Sequence, residues 1–152
     1  MLIDILNERD TSFIGIISED IAWKYLCDQG IVPINKFTWG DKFLRFLRER
    51  LKDRLKEGQI QYLENLAKDD SKWSFDFIAL KGYKKAEPYL VEVKTSRPGK
   101  RKHGLKGDWS RRSKKGWTKD DIEEAKRLGF KLLLVNVQLI DDWKFEVTSR
   151  EL

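Results

Sequence analysis

The chain has 152 residues, 40% of them hydrophobic and 12% aromatic, which is enough for one packed core and argues against both disorder and two full domains. Its single cysteine, Cys27, excludes an internal disulfide, and no apolar run approaches the roughly 20 residues needed to cross a bilayer. We therefore expect one domain over residues 1–152, in a cytoplasmic, intracellular setting and without a membrane partner.

Two helical segments are predicted before any strand. The first covers about 12–29 and ends at Gly30. The second covers about 41–67, where Phe43 and Leu47 belong to a series of apolar residues at helical spacing. We interpret 41–67 as a helical insertion between the first helix and the sheet.

Four strands follow. Segments 73–80 and 88–94 have strand composition and are separated by a short turn, which predicts a hairpin. A helix is predicted over about 119–128, followed by a strand over 131–137 that is apolar on both faces, as a central strand would be. Alternation over 143–147 predicts the last strand. The order predicts an α/β fold with a mixed, mostly four-stranded sheet flanked by helices.

The positive charge is concentrated in one loop, at about 97–119. It holds ten basic residues and one acid, Asp108, for a net charge of +9, so the rest of the chain carries −3. Trp109 and Trp117 lie among the basic residues, where they could stack on bases. A solvated, mobile loop is the alternative. We expect DNA as the partner, contacted by Arg97, Lys100, Arg101, Lys102, Lys106, Arg111, Arg112, Lys114 and Lys115.

The predicted hairpin brings two acids together. In its symmetric register Asp76 faces Glu92, and directly opposed side chains have Cβ atoms about 5 Å apart. Two carboxylates at that distance repel each other, whereas a bound divalent cation would make the arrangement favourable. A slip of one residue would break this pairing.

Alternation along the return strand places Lys94 beside Glu92, with Val91 and Val93 on the opposite face. An ammonium group beside metal-binding carboxylates can act on a metal-bound water or stabilise charge on a phosphate. The alternative is ordinary alternation in a half-solvated strand.

Glu19 is the candidate third acid. It lies within an apolar stripe of the first helix that includes Ala22 and Leu26, where an unpaired carboxylate would be costly. It could reach a metal, a base or a water, or pair with a structural arginine. His103, in the basic loop, is interpreted as a solvated side chain or phosphate contact, and Cys27 as a core filler.

Several segments together resemble the PD-(D/E)XK nuclease superfamily. They are Phe75-Asp-Phe-Ile-Ala79, Leu90-Val-Glu-Val-Lys-Thr95, a first helix within 15–30, and a helix and strand within 122–135. The likeness is to archaeal Holliday-junction-resolvase-like and restriction-endonuclease-like small nucleases. Residue 75 is Phe where the motif name has Pro, and 41–67 is longer than a minimal resolvase would have.

The resemblance implies a restriction-endonuclease-like core and an Mg²⁺-dependent (or Mn²⁺-dependent) endonuclease that hydrolyses DNA phosphodiester bonds. It implies that Asp76, Glu92 and the backbone carbonyl of Val93 bind the metal, that Lys94 acts on the attacking water, and that Glu19 completes the site. A non-catalytic nucleic-acid-binding module with the same fold is the alternative. Cutting both strands needs two sites, so we also expect a homodimer, with the first helix and Trp143 and Phe145 at its interface.

Overall fold

The computed structural model describes residues 11–34, 40–68, 75–96, 119–141 and 144–152. The helices are α1 (Thr11–Asp28), α2 (Gly40–Phe46), α3 (Glu57–Lys68) and α4 (Lys119–Arg127), with a π-helical turn at Leu47–Leu51. The strands are β1 (Ile31–Pro33), β2 (Phe77–Lys81), β3 (Glu87–Ser96), β4 (Lys131–Asp141) and β5 (Lys144–Glu151).

The five strands form one mixed sheet in the order β1-β2-β3-β4-β5. Strands β3 and β4 are parallel, and every other neighbouring pair is antiparallel. The predicted α/β class is therefore confirmed. Strand β1 was not predicted, because three residues ending in Pro33 are too few to show alternation. Proline lacks an N–H to donate, and it is tolerated here because β1 lies at the sheet edge.

Helix α1 covers one face of the sheet. Its inward residues Ala22 and Leu26 are fully buried and pack with Phe77, Val91 and Val135 of three neighbouring strands. The spacing of four residues between Ala22 and Leu26 places both on one side of the helix. Cys27 is exposed, so its interpretation as a core filler was wrong: Leu26 takes the inward position beside it.

The segment predicted as a helical insertion covers the opposite face. Residues Phe43, Leu47, Leu51 and Leu63 are buried there against a core that includes Leu90 of β3. Their burial makes α2, the π-helical turn and α3 a layer of the fold. Leu90 of β3 packs into this layer.

Most predicted boundaries agree with the structure. Helix α1 starts and ends one residue before the predicted range, and Gly30 follows it with φ +74°. Strand β4 continues to Asp141, beyond its predicted end at Val137. Residues 73–74, where the first strand of the hairpin was predicted to begin, lie outside the described residues. Within the described segments, no helix is long and apolar enough to span a membrane.

Candidate active site

The register of the β2–β3 hairpin is the predicted one. Phe77 pairs with Val91, and continuing that register by one residue places Asp76 opposite Glu92. Asp76 lies in a bend immediately before β2. Its backbone N–H donates to the carbonyl of Val91 at 2.8 Å, and its Oδ2 accepts a hydrogen bond from the N–H of Val93 at 2.6 Å. The Asp76 carboxylate is thus held against β3 at the point where backbone pairing ends.

Glu92 is almost completely buried, with 1% of its surface exposed. Both of its carboxylate oxygens are shielded from solvent. Oε1 lies 3.2 Å from Nζ of Lys94, whose side chain is 20% exposed. Ordinary alternation in a half-solvated strand therefore does not describe Glu92, since a buried carboxylate needs a cation or hydrogen-bond donors.

The two faces of β3 separate the candidate residues from α1. Val91 and Val93 belong to the core beneath α1, whereas Leu90 belongs to the core beneath α2 and α3. By alternation, Glu92 and Lys94 point to the same side as Leu90. The role of the Val93 carbonyl as a metal ligand stays a prediction.

Glu19 lies on α1, half-buried, one helical turn before Trp23. The Trp23 ring packs edge-on against Phe77 at 5.9 Å between centroids. Helix α1 leads into β1, whose first residue pairs with Lys81 at the turn end of β2. The helix therefore runs from the Asp76 end of β2 toward the Lys81 end, so Glu19, one turn before Trp23, lies toward the Asp76 end. It approaches that end from the α1 face of the sheet.

The acids do not form a three-carboxylate metal site in this structure. Among the described residues, no group of three or more His, Cys, Asp or Glu side chains is placed to hold a metal ion. The structure therefore brings Asp76 and Glu92 together by register, while a shared role for Glu19 with them stays a prediction.

A row of buried polar residues beside this pair was not predicted. In the parallel register of β3 and β4, Lys94 pairs with Asn136 and Ser96 pairs with Gln138. Ser96 and Asn136 are 3% and 8% exposed. Ser96 Oγ, Asn136 Oδ1 and Gln138 Oε1 are buried and have no hydrogen-bond partner in the part of the chain that is described. The sequence feature that could have predicted this polar row is the alternation of Asn136 and Gln138 with valines late in β4.

The predicted DNA-binding residues all lie outside the described residues. They are Arg97, Lys100, Arg101, Lys102, Lys106, Arg111, Arg112, Lys114 and Lys115. His103 lies in the same undescribed segment, so the structure does not test its interpretation.

Part of the predicted dimer interface makes contacts with other residues of the same chain. The Tyr25 hydroxyl is 2.9 Å from the Ser149 hydroxyl, which links α1 to β5. Phe145 is partly buried against the core beneath α1. Ile16 is 60% exposed, and Trp143 lies outside the described residues. The homodimer stays a prediction.

Family models, curated proteins and solved structures give no match to this chain. The interpretation of the site therefore depends on its geometry and on the sequence pattern.

Proposed function

We propose that this chain is a metal-dependent endonuclease of the PD-(D/E)XK type, with a restriction-endonuclease-like core, that hydrolyses phosphodiester bonds in DNA. The observation that carries the proposal is the opposition of Asp76 to the buried Glu92, with Lys94 at 3.2 Å. Burying a carboxylate is unfavourable unless a cation or hydrogen bonds compensate. A site that binds a metal ion supplies a reason to keep two carboxylates at directly opposed positions.

The donor set suits Mg²⁺ or Mn²⁺. Asp76, Glu92 and the carbonyl of Val93 are oxygen donors, and Mg²⁺ is commonly bound by one or two carboxylates together with water and substrate phosphate. When bound, the ion would lower the pKa of water and neutralise charge that grows on the phosphate. Glu19 is the proposed additional acid.

The protein's own contribution is orientation and charge. The hydrogen bond from the Val93 N–H fixes one Asp76 oxygen against β3. Strand β3 holds Glu92 and Lys94 on one face, and of the two it is the partly exposed Lys94 ammonium that a phosphate would contact. A cation there stabilises negative charge on the reacting phosphate and can orient the attacking water.

A specific observation also favours the second candidate, a non-catalytic nucleic-acid-binding module. Glu92 already has an ion-pair partner in Lys94, and the described residues contain no three-acid group for a metal. Under this alternative the Glu92–Lys94 pair is structural, and the basic segment 97–119 alone accounts for binding.

Cleavage assays separate the two. Supercoiled plasmid, four-way junction, flap and single-stranded DNA are incubated with the protein and Mg²⁺, Mn²⁺ or EDTA. We expect metal-dependent cutting that Glu92→Gln reduces by about a hundred-fold or more. The matched control is Glu87→Gln, at the far end of the same strand. If no substrate is cut with either metal over a wide range of protein concentration, the nuclease proposal is wrong.

A further inference from the structure

A second basic surface lies at the turn of the β2–β3 hairpin. Lys81 at the end of β2 and Lys84 and Lys85 of the turn are all exposed. Arg54 and Lys56 of the preceding loop are exposed too and line the same cleft as Lys85. We call these five cations, together with Tyr83, the turn surface. A cleft of about 420 Å³ beside the turn is lined by residues that include Arg54, Lys56 and Lys85.

Nearby acids only partly offset this charge. Asp53 lines the same cleft. The Glu87 carboxylate, also at the cleft, forms an ion pair with Lys131 at 2.9 Å. Because Glu87 is paired with a lysine outside the turn surface, the surface retains a clear excess of positive charge, which attracts a polyanion.

The turn is held in one shape. Gly82 has φ +95°, and a Cβ atom there would lie 2.7 Å from the backbone oxygen of Lys85, so the turn requires glycine at this position. The Ala86 N–H donates to the carbonyl of Arg54 at 3.2 Å, which joins the turn to the loop. The cations are therefore displayed on a defined scaffold.

Tyr83 indicates the kind of polyanion. Its side chain is an exposed large hydrophobic group, with 78% of its surface accessible. The Arg54 guanidinium lies 4.8 Å from the centroid of its ring, which restrains the ring and covers one of its faces. The accessible surface that remains allows an unpaired base to stack, a contact that proteins use for single-stranded nucleic acid without sequence preference.

We propose that the turn surface binds single-stranded nucleic acid, with an unpaired base stacked on Tyr83 and phosphates contacted by Lys84 and Lys85. Five residue pairs separate this end of the hairpin from the Asp76–Glu92 pair, or about 16 Å at roughly 3.3 Å per residue. Binding here is therefore separable from the proposed cleavage and does not depend on it. An anionic membrane would be attracted by the same lysines but would not require the stacked ring.

The test measures binding of the full chain to fluorescein-labelled oligothymidylate in EDTA, over a series of salt concentrations. Replacing Tyr83 with Ala weakens binding by at least about five-fold, the lower end of the range for one lost stacking contact. Tyr83→Phe keeps the ring and retains the affinity of the unaltered protein. The double variant Lys84→Ala, Lys85→Ala flattens the salt slope by roughly 1.4 units, because each phosphate contact to a single strand contributes about 0.7.

The matched control replaces two exposed lysines elsewhere with Ala, Lys24 on α1 and Lys144 at the start of β5. Its salt slope changes less than that of the Lys84→Ala, Lys85→Ala variant. Thermal melting verifies that each variant is folded. Vesicles of phosphatidylserine and phosphatidylcholine form the second arm. The proposal is overturned if the chain does not bind the oligonucleotide, or if Tyr83→Ala and the turn lysine pair bind like the unaltered protein. It is also overturned if the Lys84→Ala, Lys85→Ala variant binds the vesicles more weakly than the unaltered protein but binds the oligonucleotide equally well.

Discussion

The Oδ2 atom of Asp76 accepts a hydrogen bond from the backbone N–H of Val93 at 2.6 Å, across the end of the β2–β3 hairpin. The same side chain is therefore both a structural acceptor and the proposed metal ligand. A neutral acceptor of the same shape could fulfil the first role, whereas only a carboxylate supplies the charge that a metal needs. The two roles can be separated by substitution.

Asp76→Asn and Asp76→Ala should differ in their free energy of unfolding, but both should lose cleavage activity. The amide oxygen of Asn can still accept from Val93, whereas Ala leaves that partly buried N–H without its acceptor, at a cost of about 1–3 kcal/mol. Urea unfolding measures the difference. We expect both variants to lose cleavage, and Asp76→Ala to bind DNA as well as or better than the unaltered protein. Weaker DNA binding by a folded Asp76→Ala variant, with no metal present, would contradict the assignment of Asp76.

Neutralising Glu92 distinguishes a metal site from a structural ion pair. If the carboxylate is kept for a metal, Glu92→Gln removes a buried charge and should not lower the free energy of unfolding without metal. Breaking a buried pair that stabilises the fold would instead lower it by about 3–5 kcal/mol. The measurement is chemical unfolding of the unaltered protein and of Glu92→Gln in EDTA.

The same variant should lose stabilisation by metal. A ligand that binds only the folded protein adds about 2.7 kcal/mol at a hundred times its dissociation constant. We expect Mg²⁺ or Mn²⁺ to raise the melting temperature of the unaltered protein and of Glu87→Gln but not of Glu92→Gln. Equal shifts in all three proteins would place any bound metal elsewhere.

The Glu87–Lys131 pair should make stability depend on pH on the acid side. The hydrogen bond from Lys131 holds the pKa of Glu87 below its usual value of 4.5. A carboxyl group whose pKa is lowered by folding stabilises the protein above its unfolded pKa, and this contribution is lost as the pH falls through the folded value. Melting temperatures of the unaltered protein and Glu87→Gln should therefore differ at pH 7 and converge toward pH 3.

Salt provides the control for that comparison. Both partners are partly exposed, so the difference at pH 7 should shrink as ionic strength rises.

The pKa of Lys131 is raised by its hydrogen bond with Glu87, so the contribution of the pair is also lost as the pH rises through that value. A difference that persisted unchanged at pH 3 would show that Glu87 acts through packing and not through its charge.

Residues 97–118 of the basic segment lie outside the described residues, but the role of the segment can be measured. Replacing Lys100, Arg101 and Lys102 with Ala should weaken duplex binding and flatten the salt slope by about two to three units, since each phosphate contributes roughly 0.9. Turnover at saturating DNA should change much less, because the proposed metal ligands are intact. An unchanged slope would show that these residues do not contact phosphates, and a loss of turnover with binding retained would give them a part in the chemistry.

Local pattern was sufficient for the elements that build the hairpin. Alternation and a symmetric turn predict which residues of β2 and β3 oppose each other, because a strand has a period of two and a short turn limits the register. The opposition of Asp76 to Glu92 follows from those local rules, and so does the placement of Glu92 and Lys94 on one face. The existence and approximate length of α1 and α4 were also predicted from the sequence.

Only the tertiary structure decided what surrounds these residues. Whether Glu92 is solvated or buried depends on which elements pack over its face of the sheet, and the alternation within β3 does not show them. Lys94 lies beside Asn136 because β3 and β4 pair in parallel, and the parallel register joins segments that are distant along the chain. The sequence by itself determined the acids and their spacing; packing between distant elements determined their burial, their separation from the α1 face and the polar row beside them.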